Sequence, residues 1–299
     1  AIVRLKALLK DTRVQRLLLA NITGSIGSGV TIIAIPWLLV QQPGGERLYG
    51  YATLGTTLAL FLLMPYYGSW IDRHSRKAIL LAGELFGFTA TLAMAIWAFS
   101  SGRVETWQLM TSYFCGMLYF TLHYPAKFAF IQQTFNRRDY QSLIGLTEIQ
   151  GQTAAMLAGG IASLLIGHVA LPVILLADAG TYLFSFFVQS TIPYQADHLD
   201  ATRSRAPKNS WLAMAEGGRW LRERPRLCLF LLSTYVPFVI VMVGNYLFPI
   251  YVDRVLAASS DVFGQGEVVF ALGAMCAALL IPRLATHHGA DRTIVVTMG

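Results

Sequence analysis

Long apolar runs alternate with short polar segments along almost the whole chain. Eight runs reach bilayer-spanning length, at roughly 17–40, 49–71, 78–100, 106–126, 142–167, 170–193, 227–252 and 266–285, and a ninth starts near Thr293. About 20 apolar residues in helical conformation cross a hydrocarbon core. Lipid offers the backbone no hydrogen-bond partners, so a spanning element must satisfy its own amides, and these runs are too long for barrel strands. The pattern therefore predicts an all-α, polytopic membrane protein. The longest polar interruption, Tyr194–Arg226, divides six spans from the remainder. Within it Trp211–Arg224 has helical periodicity, consistent with an amphipathic helix on the membrane surface or a solvated linker helix.

Composition agrees. Of 299 residues, 55% are hydrophobic and 13% charged, too apolar for a soluble protein of this size. The net charge of +7 is sorted by loop. Twenty of the 23 Lys and Arg residues fall on one side of the predicted spans, and Arg47, Arg103 and Arg254 fall on the other. This distribution predicts a cytoplasmic N-terminus in an inner (plasma) membrane, and it explains the positive charge better than nucleic-acid binding does. The basic N-terminus leads into a full-length span rather than a short apolar core with a cleavage site. Cys115, Cys228 and Cys276 lie within or at the ends of apolar runs, without metal-ligand spacing. His168 and the pair His287–His288 read as solvated loop residues, so no metal is expected. No phosphate-binding G-x-x-x-x-G-K-[ST], G-x-S-x-G or H-E-x-x-H pattern occurs, which argues against a built-in ATPase or hydrolase. The expected partners are the bilayer and a small molecule, with no cofactor, and the energy source is an ion gradient or the substrate's own gradient.

The turn between the second and third runs reads Gly68-Ser-Trp-Ile-Asp72-Arg73-His74-Ser75-Arg76-Lys77. It resembles the G-x-x-x-D-R-x-G-R-R/K motif of the major facilitator superfamily, with Ser75 where the family usually has Gly. The resemblance implies two six-helix bundles of inverted three-helix repeats, rocking about a midplane cavity. On this plan residues 1–193 form the N-terminal bundle, 194–226 a cytoplasmic linker, and 227–299 the start of a second bundle. That second bundle holds two spans and the beginning of a third, so the chain reads as truncated. A shift of 215 residues lays Lys77 over Arg292, a faint echo of the motif in the second half. The resemblance further implies that Gly68 permits close helix approach, and that Gly68 and Asp72 form a gate with Arg73, Arg76 and Lys77 as its basic members.

Three further stretches, Asp178-Ala179 with Tyr182, Glu216–Leu221 and Phe248–Val252, resemble the macrolide and siderophore (enterobactin-type) exporter branch. This implies proton-coupled export of a small amphiphile by a monomeric antiporter. Tyr124–Phe128 also resembles a segment of lysophospholipid carriers, so import or facilitated flux of a nutrient, metal or lysophospholipid is an alternative. A non-transporting membrane scaffold or receptor is another.

Ionisable residues inside spans are costly and mark candidate sites. Glu84, His123, Lys127, Glu148 and Asp178 form the proton-coupling set. His123 and Lys127 share a helix face, and Lys127 with Glu148 makes a candidate ion pair. Asp178, followed by Tyr182, Ser185 and Gln189 at helical spacing, favours a structural hydrogen-bonding role, as does Glu84. Asn21, Ser25, Ser28 and Thr31 mark one face of the first helix. The superfamily plan makes the first, fourth and seventh helices line the cavity. That makes Asn21, Ser25, Tyr119, His123, Tyr235 and Asn245 cavity candidates, with interhelical packing as the competing reading. Gly151, Gly159 and Gly160 partly resemble the glycine-rich antiporter motif of the fifth helix, without its proline.

Overall fold

A computed structural model describes residues 8–195 and 210–288, all of it helix, turn or loop. The helices are α1 (Thr12–Val40), α2 (Gly45–Arg73), α3 (Arg76–Ser101), α4 (Thr106–Thr134), α5 (Tyr140–Leu165), α6 (Leu171–Ser190), α7 (Ser210–Arg222), α8 (Pro225–Ile250) and α9 (Ser260–His288). A short 3-10 turn, Arg137–Asp139, precedes α5, and a π-helical turn, Tyr251–Val255, extends α8. Each of the eight predicted runs is a helix, and most are longer than their apolar stretch. α4 continues to Thr134 and α9 begins at Ser260. Polar residues extend these helices because the end turns are capped rather than buried in lipid. Asp11 accepts from Arg13 N at the start of α1, and Glu105 and Gln108 form a reciprocal capping box on α4.

Among the described residues five helices are long and apolar enough to cross a membrane: α1, α2, α3, α6 and Pro225–Val255. α4 and α5 fall short of that composition. They carry polar side chains such as His123, Lys127, Glu148 and Gln150, and they pack largely against other helices. The sequence alone reads both as spans because their runs are long enough. The linker residues 196–209 and the ninth run near Thr293 lie outside the described residues. So do Arg292 and the second-half echo of the motif.

α1 packs on α4, α5 and α6, and α3 packs on α4 and α6, so the first six helices form one bundle. α9 packs along α5 and ties the second half to the first. Two apolar clusters fill the bundle. One, around Val14, Leu17, Ile79, Phe130 and Leu143, lies at the basic end. The other, around Ile35, Trp37, Tyr49, Leu109 and Leu175, lies at the far end. Between them runs a layer of buried polar side chains: Asn21, Thr31, Glu84, Asp178, Ser185 and Gln189.

Candidate functional site

The polar layer is built where α1, α3, α4 and α6 approach through small residues. A Cβ on Gly24 would lie 2.9 Å from Ser185 Oγ, and one on Gly87 would lie 2.5 Å from the Tyr182 ring. Within it Glu84 on α3 is 1% exposed. Its Oε1 accepts hydrogen bonds from Tyr119 Oη of α4 (3.1 Å) and Gln189 Nε2 of α6 (2.8 Å). His123 Nδ1 lies 3.6 Å from the same oxygen, and the His123 ring stacks on Tyr119 at 4.9 Å. Among the described residues Glu84 Oε2 and His123 Nδ1 are buried without a hydrogen-bond partner. Tyr119 also packs edge-on against Tyr182, which leads to Asp178 one turn away. Asp178 accepts from Thr31 Oγ1 (2.7 Å) and from Thr181 Oγ1 (3.3 Å). Asp178, Tyr182, Ser28 and Thr31 border a cavity of about 30 Å³, room for one or two waters.

The structure thus joins residues that the sequence offered singly. Glu84, Tyr119, His123 and Gln189 come from three helices, and no spacing along the chain reveals their meeting. Tyr119 is a buried partner of Glu84 rather than a cavity-lining side chain. Asn21 is likewise buried, and the α1 face carrying Gly24, Gly27 and Thr31 turns toward α6. Ser25 lies one turn before Gly29, whose Cβ would meet Ala158 of α5 at 2.7 Å, so this flank is also helix packing. Tyr235 and Asn245 on α8 are exposed and stand apart from the buried layer.

The expected Lys127–Glu148 ion pair does not form. Tyr124 Oη donates to Glu148 Oε1 at 2.9 Å, while the Lys127 ammonium lies over the Tyr124 and Phe128 rings at 5.3 and 5.4 Å. The aromatic rings outcompete the carboxylate because residues 124, 127 and 128 share one face of α4, within one turn of each other.

At the basic end the motif turn serves chiefly as a clamp. Lys77 Nζ donates to the carbonyls of Ser190 and Ile192, at the end of α6, and Arg76 Nη1 donates to Ala129 O on α4. Arg16 reaches Thr191 O and Arg13 reaches Thr134 O, so four cations cap or brace the last turns of α4 and α6. Such caps oppose the negative ends of the helix dipoles. Arg76 is therefore occupied by α4 rather than by Asp72, and Asp72 itself is exposed. Ser75 replaces the usual Gly without strain. Its φ is −57°, and its Oγ accepts from Ala78 N as the N-cap of α3. Among the described residues, no atom comes within 4 Å of a Cβ placed on Gly68, so the expected close helix approach is not seen there.

The two halves meet along α5 and α9 and again at the far end. A Cβ on Gly264 would lie 2.8 Å from Gly159 O and 2.5 Å from Ser163 Cβ, which places the helices at glycine distance. At the far end Trp37 stacks on Phe263 (5.4 Å), and Tyr49 packs against Tyr246 (5.0 Å). Arg254 Nη2 reaches Val40 O and Glu46 Oε2, both at 3.2 Å. Of these residues only two carry a signal in the sequence, Gly159 in its glycine-rich stretch and Arg254 as one of three cations on the sparsely charged side.

A bundle of apolar helices thus carries a charged turn at one end and a buried ionisable layer inside, the architecture of a polytopic membrane protein. The profile of the transmembrane secretion effector family matches residues 6–298, and the chain belongs to this family of major facilitators. It is 25% identical over 274 residues to macrolide efflux protein A of Streptococcus pyogenes, covering 91% of this chain and 66% of that protein. The chain therefore spans slightly less than two thirds of that relative's length. The multidrug efflux pump Tap of Mycolicibacterium fortuitum is 27% identical over 86 residues, 29% of this chain and 21% of that pump. The crystal structure of a D-xylose–proton symporter superposes with a TM-score of 0.65 at 13% identity, covering 92% of this chain and 69% of that one, a likeness of fold.

Proposed function

We propose that the protein exports a small amphiphilic compound, a drug or a siderophore, by proton-coupled antiport. It works as a monomer in the plasma membrane with its N-terminus in the cytoplasm. Residues 227–299 open a second six-helix bundle, and the bundles alternate access to a cavity between them. The efflux relatives support the direction of transport.

Proton coupling rests on one observation, the Glu84–His123 pair. A carboxyl and an imidazole 3.6 Å apart, the carboxyl buried and the imidazole largely so, can share one proton. With the proton on Glu84 both groups are neutral, and with it on His123 they form an ion pair. Tyr119 and Gln189 hold Oε1 in either case, and Oε2 is open to carry the proton. The groups facing Glu84 are Tyr119 and His123 from α4 and Gln189, Tyr182 and Asp178 from α6, and the cation nearest the pair among the described residues is Lys127, one turn from His123 on α4, whose charge favours the proton on Glu84.

The test uses the whole transporter in proteoliposomes with an imposed pH gradient, offered a basic dye, a macrolide and a catechol siderophore. Glu84→Gln is expected to abolish gradient-driven accumulation while leaving downhill exchange of the same compound. Glu148→Gln runs in parallel. Retained gradient-driven transport in Glu84→Gln, lost instead in Glu148→Gln, would move coupling to the α4–α5 face.

A further inference from the structure

Arg254 stands where a cation is least expected, on the side holding three of the 23 basic residues. It lies in the π-helical turn Tyr251–Val255, and Ala257 just beyond it has φ of +49°, the one non-glycine residue with positive φ among those described. π-turns and left-handed non-glycine residues are uncommon, and they persist where surrounding contacts hold them. Here the contacts are visible. Asp253 Oδ2 sits 3.3 Å from Arg254 Nε and orients the guanidinium. Nη2 then bonds two elements of the other half at once: the carbonyl of Val40, in the last turn of α1, and the carboxylate of Glu46, in the first turn of α2. A helix C-terminus is a negative dipole end, so both acceptors favour a cation.

The remaining links described between the halves carry no charge. The α5–α9 crossing is close packing of glycines, and neutral hydrogen bonds accompany it, such as Ser260 Oγ to Ile166 O (3.1 Å) and Tyr246 Oη to Glu46 O (3.5 Å). Trp37 on Phe263 and Tyr49 on Tyr246 are ring contacts that close behind the charge. Among the described residues Arg254 makes the charged, directional tie between the two halves at the far end, and it remains half-exposed, so water can replace its partners when the halves part.

We infer that Arg254 is the latch of the gate at the far end. With Glu46 and the Val40 carbonyl it holds the halves closed on that side, which in the proposed orientation faces outward, and its release opens the cavity there. This is a positioning role that touches no cargo.

The experiment reads distance rather than transport, so it stands whether or not export of any given compound is found. Spin labels are attached at Arg47→Cys and Val262→Cys in the whole transporter, with Cys115, Cys228 and Cys276 replaced by serine, in nanodiscs without cargo. The short-distance population should dominate. Arg254→Gln should shift the open-to-closed ratio upward by roughly three- to tenfold, the range for losing charge-assisted hydrogen bonds at a half-exposed site. Arg254→Lys, which keeps the charge but loses the fork, should fall between. An unchanged distribution in Arg254→Gln overturns the proposal. If that variant aggregates, Glu46→Gln decides: a smaller shift in the same direction supports the latch, and no shift overturns it.

Discussion

Replacing Gly264 by alanine probes the distance between α5 and α9. The new Cβ would sit 2.5 Å from Ser163 Cβ, 2.8 Å from Gly159 O and 2.9 Å from Ser163 Cα. Two of these are backbone atoms, which cannot rotate away. Relaxed carbon contacts lie near ~3.5 Å or beyond, so the helices must separate by about 0.5–1 Å along the crossing. Overpacking of this kind costs about 1–3 kcal/mol. Alanine returns about 1 kcal/mol of helix propensity over glycine. The net expectation is a loss of about 0–2 kcal/mol. Gly160→Ala is the matched control. Its Cβ would meet Val268 Cγ2 at 3.9 Å, an ordinary contact, so the propensity gain should remain at about 1 kcal/mol. The two variants should therefore differ by about 1–3 kcal/mol. Denaturation of the purified protein in detergent, followed by tryptophan emission, measures this directly, since Trp37 reports on the junction through its stacking with Phe263. If Gly264→Ala proves as stable as Gly160→Ala, the halves do not meet at glycine distance.

Gly87→Ala should drive the Tyr182 ring off its Tyr119 contact and cost about 1–3 kcal/mol, read as lower thermal stability with reduced transport. Ser75→Ala should cost about 1 kcal/mol through the lost α3 cap, while Ser75→Gly should cost only a few tenths, and thermal denaturation separates the two. The Arg13 guanidinium holds the Asp11 carboxyl below the usual carboxylate range. The stability it contributes is complete above about pH 4 and is lost as pH falls through the lowered value. The advantage of wild type over Asp11→Asn in denaturation should therefore shrink on acidification.

Helix count, the motif turn and the exporter kinship were legible in the sequence, because apolar length and loop charge are local properties. The buried layer was half legible. Glu84, His123 and Asp178 each stand out as costly residues in apolar runs, but their partners lie on other helices. Glu84 and Gln189 are 105 residues apart and meet only because small residues let α3 and α6 approach. The Lys127–Glu148 reading failed for a related reason. Spacing shows that two charges can reach each other, but not that aromatic rings nearer along the same helix reach one of them first. The far-end junction left almost no trace, since Trp37, Tyr49 and Tyr246 look like any other aromatic residue near a membrane boundary.

Arg16, Arg76 and Lys77 belong to the basic residues gathered at one end of the helices, and in the folded bundle all three are spent on carbonyls of α4 and of the end of α6, while Arg13 divides itself between Asp11 and Thr134 O. The basic end of the chain thus becomes a fastener of the finished bundle. Before α4 and α6 arrive, Arg16, Arg76 and Lys77 lack these carbonyls. Afterwards they are committed to the protein, and turning the first bundle over would mean tearing open its own helix ends. Whatever orientation the chain takes in the membrane, folding of the first bundle thereby makes it permanent.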